Sequence, residues 1–237
     1  MSLVEIKNLQ FKYPTAANNT LDIADFSIQA GEKIFLYGPS GCGKTTFLET
    51  LAGVLIPQSG SVKIKDLHLE QATASQRDAF RAAHIGYIFQ SFNLIPYLSV
   101  EENISLPLYL SPIRRKTVPT ENQSAEIHFL CEQLGIQNLM TKPVTELSVG
   151  QQQRVAAARA LLGKPDLILA DEPTSSLDYD HREKFIKLLF SLCEKNKIAI
   201  LFVSHDRTLQ GLFDRALSLA EINKATIINS DAITGAL

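Results

Sequence analysis

The sequence predicts an α/β fold with a parallel sheet at its core, an antiparallel β flap ahead of that core and a helical subdomain inserted into it. Three features of the 237 residues carry this prediction. Short apolar runs at 33–37, 167–170 and 198–203 read as strands buried on both faces. The first of them runs into a glycine-rich turn followed by a helical composition, and residues 91–164 interrupt the strand pattern with a mainly helical block.

Taken in order, residues 3–13 alternate apolar and polar side chains and residues 21–30 do so again, with Thr15-Ala16-Ala17-Asn18-Asn19 between them as a hairpin loop. Tyr13 closes the first strand just before Pro14, where its ring either lies against a flat heterocycle such as adenine or packs on its own sheet. Next comes Gly38-Pro39-Ser40-Gly41-Cys42-Gly43-Lys44-Thr45-Thr46, which fits the phosphate-loop pattern G-x-x-x-x-G-K-[ST]. Its glycines let successive backbone N–H groups turn inward on a triphosphate at the positive end of a helix over 44–52. Lys44 then reaches the β and γ phosphates as a point charge, and the Thr45 hydroxyl is placed to ligate a bridging Mg²⁺. Cys42 is either a small packing residue or an accessible thiol within that loop.

Pro57-Gln58-Ser59-Gly60 marks a turn, residues 61–64 a strand and residues 75–83 a helix. Residues 84–90 read as a core strand ending in Gln90, which either faces a ligand or lies on open surface. Inside the helical block, residues 100–110 and 124–134 show helical spacing, the second ended by Gly135. Residues 111–123 read as a loop rich in proline and charge, with Arg114-Arg115-Lys116 either as its solvated part or as a contact for an acidic partner or lipid headgroups.

Leu147-Ser148-Val149-Gly150-Gln151-Gln152-Gln153-Arg154 precedes an alanine-rich helix over 155–162, so that Ser148 and Gly150 stand near a helix start, a second anion-binding geometry. The strand at 167–170 delivers Asp171 and Glu172 to the carboxyl edge of the sheet. Asp171 suits a Mg²⁺ shell through water, and Glu172 suits a general base on the water attacking the γ phosphate. Ser175-Ser176-Leu177-Asp178 is a polar turn before a helix over 181–193, with Asp178 as a candidate cap. The strand at 198–203 brings His205 to the same edge, where it is either structural or a γ-phosphate contact, and residues 215–220 and 225–228 close the sheet ahead of a free tail.

Composition narrows the function. Net charge is −2 with dispersed basic residues, so the broad positive field of a nucleic-acid binder is missing. No apolar run approaches the roughly 20 residues that span a bilayer, and the start of the chain lacks the pattern of an export signal. The three cysteines are scattered singly, without metal spacing, and are expected as thiols.

Across essentially its whole length the chain resembles the nucleotide-binding subunits of ATP-binding-cassette (ABC) transporters, and within them the lipoprotein-releasing and macrolide-exporter type. The resemblance implies a P-loop NTPase core of the RecA-like type, formed by residues 1–90 and 165–237 with the β flap, and a helical subdomain at 91–164. It casts Tyr13 as the aromatic stacked on adenine, Gly38 to Thr46 as Walker A and Gln90 as the glutamine that senses Mg²⁺ and the attacking water. Leu147 to Gln151 resembles the family signature, with Ser148, Gly150 and Gln151 as nucleotide contacts, and Leu167 to Glu172 resembles Walker B. Ser175 to Asp178 resembles the D-loop and His205 the switch histidine. In this family two cassettes close head to tail with each ATP between the Walker A loop of one and the signature of the other. The implied partners are therefore a second ATPase subunit, in a homodimer or a heterodimer, and an integral-membrane permease that holds the chain on the inner face of the membrane. Leu94, Ile95, Tyr97 and Leu98 either line a groove for a permease helix or pack within the helical subdomain. Val149 stands where the signature's first glycine is usual and would strain the loop if that position needs a positive φ. A second reading keeps the same residues in an ATP-gated clamp that regulates or anchors a membrane complex and moves no solute. A DNA-repair cassette would need a longer insertion, and a nucleotide kinase would not need the signature.

Overall fold

The computed structural model describes residues 2–175, 177 and 179–225, so that Ser176, Asp178 and all but the first residue of the strand expected over 225–228 lie outside the described residues. Two sheets form. Strands β1 (Ser2–Phe11), β2 (Leu21–Gln29), β4 (Ser59–Ile64) and β5 (Leu67–His68) make an antiparallel sheet in the order β2-β1-β4-β5. Strands β3 (Lys33–Tyr37), β6 (Ile85–Ile88), β7 (Leu167–Asp171), β8 (Ala199–Val203) and β9 (Arg215–Ser218) make a parallel sheet in the order β6-β7-β8-β3-β9. The helices are α1 (Lys44–Leu51), α2 (Ala74–His84), α3 (Val100–Leu110), α4 (Pro112–Thr117), α5 (Gln123–Gln133), α6 (Val149–Leu161), α7 (Tyr179–Glu194) and α8 (Leu219–Ile222).

The parallel sheet is buried on both faces, and alternation along each strand divides two cores. Ile34, Leu36, Leu167, Leu169, Leu201 and Val203 face the flap and the apolar side of α1. Phe35, Ile168, Ala170, Ile200 and Phe202 face the other way, into a cluster built with α3, α5, α6 and α7. The helix that begins at the phosphate loop is thus clasped between the flap and the sheet.

Several boundaries differ from the sequence expectation, each for a local reason. The first strand ends at Phe11, two residues before Tyr13, and β6 ends at Ile88, two before Gln90. Helix α6 begins at Val149 because Ser148 caps it, its hydroxyl accepting from the Gln151 N–H while the Gln151 side chain accepts from the Ser148 N–H. After Ser218 the chain turns into α8 instead of continuing as a strand through Ala220.

The largest correction is at 111–123, which is not a solvated loop: Pro112–Thr117 is helical, and Arg114 is 2 % exposed. Its guanidinium donates to four carbonyl oxygens, those of Ala83 (3.2 Å), Ile85 (2.6 Å), Ala160 (3.3 Å) and Leu162 (2.9 Å). These are acceptors left over where α2 runs into β6 and where α6 ends, so one side chain ties helices to the sheet. Burial pulls the guanidinium down to about 10, still charged at neutral pH.

Candidate functional site

Between β3 and α1 the backbone turns through glycines that the geometry requires. Gly43 caps α1 at φ 97°, ψ 15°, and Gly41 has φ 78°, left-handed conformations that cost glycine nothing. A Cβ on Gly43 would stand 3.2 Å from the Thr20 carbonyl oxygen, so the loop and the flap touch there. Cys42 is buried at 2 % exposure, with its Sγ 2.7 Å from where a Cβ on Gly38 would lie. It packs inside the loop, and burial pushes its thiol up against the pull of Lys44. Pro39, Ser40 and Gly41 form the exposed rim. The Lys44 ammonium donates to the carbonyls of Gly38 and Pro39, both at 2.9 Å, which holds it over the loop. Thr46, nearly buried, has its hydroxyl 3.2 Å from that of Tyr13, whose ring stands edge-on to Phe11 at 4.9 Å between centroids.

Parallel pairing brings the acidic residues to this loop. The Thr45 hydroxyl donates to Asp171 at 3.1 Å. Burial raises the Asp171 carboxyl, the Thr45 hydrogen bond opposes that rise, and the neighbouring Glu172 charge adds to it. Glu172 adopts φ 44°, rare for a residue with a side chain, and its N–H is fixed by the Val203 carbonyl at 3.0 Å. Its carboxylate lies 3.1 Å from His205 Nδ1, with the imidazole largely exposed. Gln90 is exposed beyond β6, whose Ile88 is in register with Ala170, so it emerges beside the Asp171–Glu172 end of β7.

Ser148, Gly150 and Gln151 stand elsewhere. They line a recess of about 280 Å³ with Leu177 and His181, whereas Gly38, Pro39 and His205 line another of about 360 Å³, and the two share no residue. Val149 is the first residue of α6, 49 % exposed and outside the positive-φ set, so no strain arises there.

Three positioning residues escaped the sequence reading because most of their partners are remote in sequence. Asn223 accepts from the Asp22 N–H (2.7 Å) and donates to the carbonyls of Thr20 (2.9 Å) and Cys42 (3.3 Å), tying the phosphate loop to the flap. Arg159 of α6 donates to the carbonyls of Phe92 (2.6 Å) and Asn93 (2.7 Å), which follow Gln90 at φ 61° and 46°, and so links the loop after Gln90 to α6. Arg182 joins the Leu177 carbonyl and the Asp206 carboxylate, both at 2.7 Å, and so braces the turns beside Glu172 and His205. Of the residues given either role, Leu94 packs on the core of the helical block, as the packing alternative has it, while Tyr97 is 82 % exposed. An apolar groove of about 650 Å³ runs instead between α2, β6 and α3, past Ala79, Phe89, Leu106 and Leu110.

Comparison with known proteins gives this arrangement a family. Residues 21–175 match the family model described as ABC transporter. The lipoprotein-releasing system ATP-binding protein LolD of Psychrobacter arcticus is 37 % identical over 220 residues, covering 92 % of this chain and 96 % of that protein. YbbA, an uncharacterized ABC transporter ATP-binding protein of Escherichia coli, is 41 % identical over 192 residues, 81 % of this chain and 82 % of its own. Among solved structures, the dimeric post-hydrolysis state of the ATP-binding cassette MJ0796 with ADP and Pi superposes with a TM-score of 0.82 at 31 % identity, covering 95 % of this chain and 99 % of that one. The chain belongs to the ABC transporter family, as an ATPase subunit with a P-loop NTPase fold.

Proposed function

We propose that this subunit hydrolyses Mg-ATP between two copies of itself and passes the resulting closure and release to a membrane permease. The observation that carries this reading is the separation of the two recesses: within one chain the phosphate loop and the Ser148–Gly150 helix start share no lining residue. A second chain placed head to tail would bring one to the other. ATP would then glue the copies and its hydrolysis release them, a population shift that a permease can use.

In that closed site the Gly38 to Thr46 backbone cradles the phosphates, Lys44 neutralises charge on the β and γ oxygens and Tyr13 stacks on adenine. Ser148, Gly150 and Gln151 of the second copy, with Asp178, complete the clasp. Glu172 takes the proton of the attacking water, and His205, 3.1 Å away, holds that carboxylate and meets the γ phosphate. The hydroxyl of Thr45 and the carboxylate of Asp171 are hard oxygen donors 3.1 Å apart, a set that fits Mg²⁺, with Gln90 beside them. When bound, the ion supplies charge neutralisation of the β and γ oxygens. Residues 1–90 and 165–237 act as the catalytic core and 91–164 as the helical subdomain. The groove along α2, β6 and α3 suits a short apolar permease helix, with exposed Tyr109 and Leu110 beside it, which would hold the subunit on the inner membrane face.

The test is phosphate release by the purified chain given ATP with Mg²⁺ or with a chelator. Release that needs Mg²⁺, and ATP affinity at least about tenfold weaker in Lys44→Ala, is expected from a cation that contacts two phosphates. Release indifferent to the chelator, or unchanged affinity in that variant, contradicts the reading.

A further inference from the structure

Strands β1 and β4 pair Lys7 with Ser61 and then Gln10 with Ser59, so their register slips by one residue between these pairs. Asn8, at φ 49°, lies in the slip, and Gly60 opposite it has φ 84°. A Cβ on Gly60 would stand 2.2 Å from the Asn8 carbonyl oxygen, so only glycine fits this bulge.

The slip carries Gln58 to the end of β1. Its backbone N–H donates to the Gln10 carbonyl at 2.9 Å, and its side chain reaches Lys12. There Oε1 accepts from the Lys12 N–H at 2.7 Å while Nε2 donates to the Lys12 carbonyl at 2.6 Å. One primary amide thus meets both backbone groups of a residue beyond the strand's end, as a neighbouring strand would do. Lys12 immediately precedes Tyr13, whose ring leans on Phe11 and whose hydroxyl meets Thr46 of α1.

We infer that Gln58 is a positioning residue for the nucleotide's base: by clamping the Lys12 backbone it fixes where the Tyr13 ring stands before ligand arrives. The inference rests on the reading of Tyr13 as the ring that stacks on adenine. A half-exposed ring at a frayed strand end would have to be ordered on binding, whereas a clamped one has already met that cost. The clamp therefore favours a ligand that carries a base and is indifferent to one that is only phosphates.

The experiment compares ATP with inorganic tripolyphosphate as ligands for the full chain carrying Glu172→Gln, by titration calorimetry. Four forms are compared with this parent: Gln58→Met, of similar length without hydrogen bonds, Gln58→Glu, which keeps the acceptor and loses the donor, Tyr13→Ala, and Gln58→Met with Tyr13→Ala. Gln58→Met is expected to weaken ATP about 3- to 10-fold, the scale of ordering one side chain on binding, with tripolyphosphate unchanged. The double variant is expected to be no worse than Tyr13→Ala, because the two residues act through one ring. Should Gln58→Met fail to fold, Gln58→Glu carries the same comparison. A preference for ATP lost in Tyr13→Ala and kept in the Gln58 variants overturns the inference alone. A preference kept in every variant overturns it together with the stacking role of Tyr13, and a loss shared equally by both ligands assigns Gln58 to structure only.

Discussion

Glu172→Gln is expected to lower ATP turnover by about 10²- to 10⁴-fold, the usual worth of a positioned general base, while leaving ATP affinity intact. Glu172 sits at φ 44°, its N–H held by Val203, and the amide of Gln matches the carboxylate in shape, so the substitution removes the base without moving the backbone. The contact to His205 at 3.1 Å can survive as a neutral hydrogen bond. Steady-state phosphate release together with ATP titration checks both halves. Turnover within a few-fold of the parent protein would remove Glu172 from the role of base.

Arg114→Met is the substitution expected to cost most stability, about 3 to 4 kcal/mol, from a hydrogen-bonded charge lost and buried carbonyls left unpaired. The four oxygens that Arg114 satisfies belong to Ala83, Ile85, Ala160 and Leu162, where no other donor is at hand among the described hydrogen bonds. Gly163 packs so closely on this side chain that a Cβ there would lie 2.7 Å from Arg114 Cβ, which leaves water little room to substitute. Arg114→Lys should recover only part of the loss, since an ammonium cannot fork to carbonyls on separate elements. Thermal unfolding checks this: the midpoint should fall by about 10 °C for a chain of this size, and a fall under about 3 °C would show that the carbonyls find other partners.

What the sequence made legible was local. The strand Lys33–Tyr37 and the helix Val100–Leu110 appear at the predicted residues, because a continuous apolar run and a helical pattern each signal within a few residues. The same holds for the elements that carry Gly38, Asp171 and His205 to one sheet edge. Arg114 was misread because three consecutive cations look solvated, and nothing near them in sequence reports the helix ends whose carbonyls need a donor. Asn223, Arg159 and Gln58 act across 181 to 203, 66 to 67 and 46 residues respectively, so the sequence supplied the groups but not the contacts. Strain at Val149 was conditional on a positive φ, and that condition is not met, because a helix start at Ser148 puts the residue at ordinary helical geometry.

The central claim is that one chain holds two incomplete halves of an ATP site. Sedimentation of the Glu172→Gln protein with and without saturating Mg-ATP tests it most directly. The account predicts a monomer without nucleotide and a dimer with it, lost again when Ser148→Arg blocks the helix start. A protein that stays monomeric with ATP bound, or a dimer indifferent to Ser148→Arg, would contradict it.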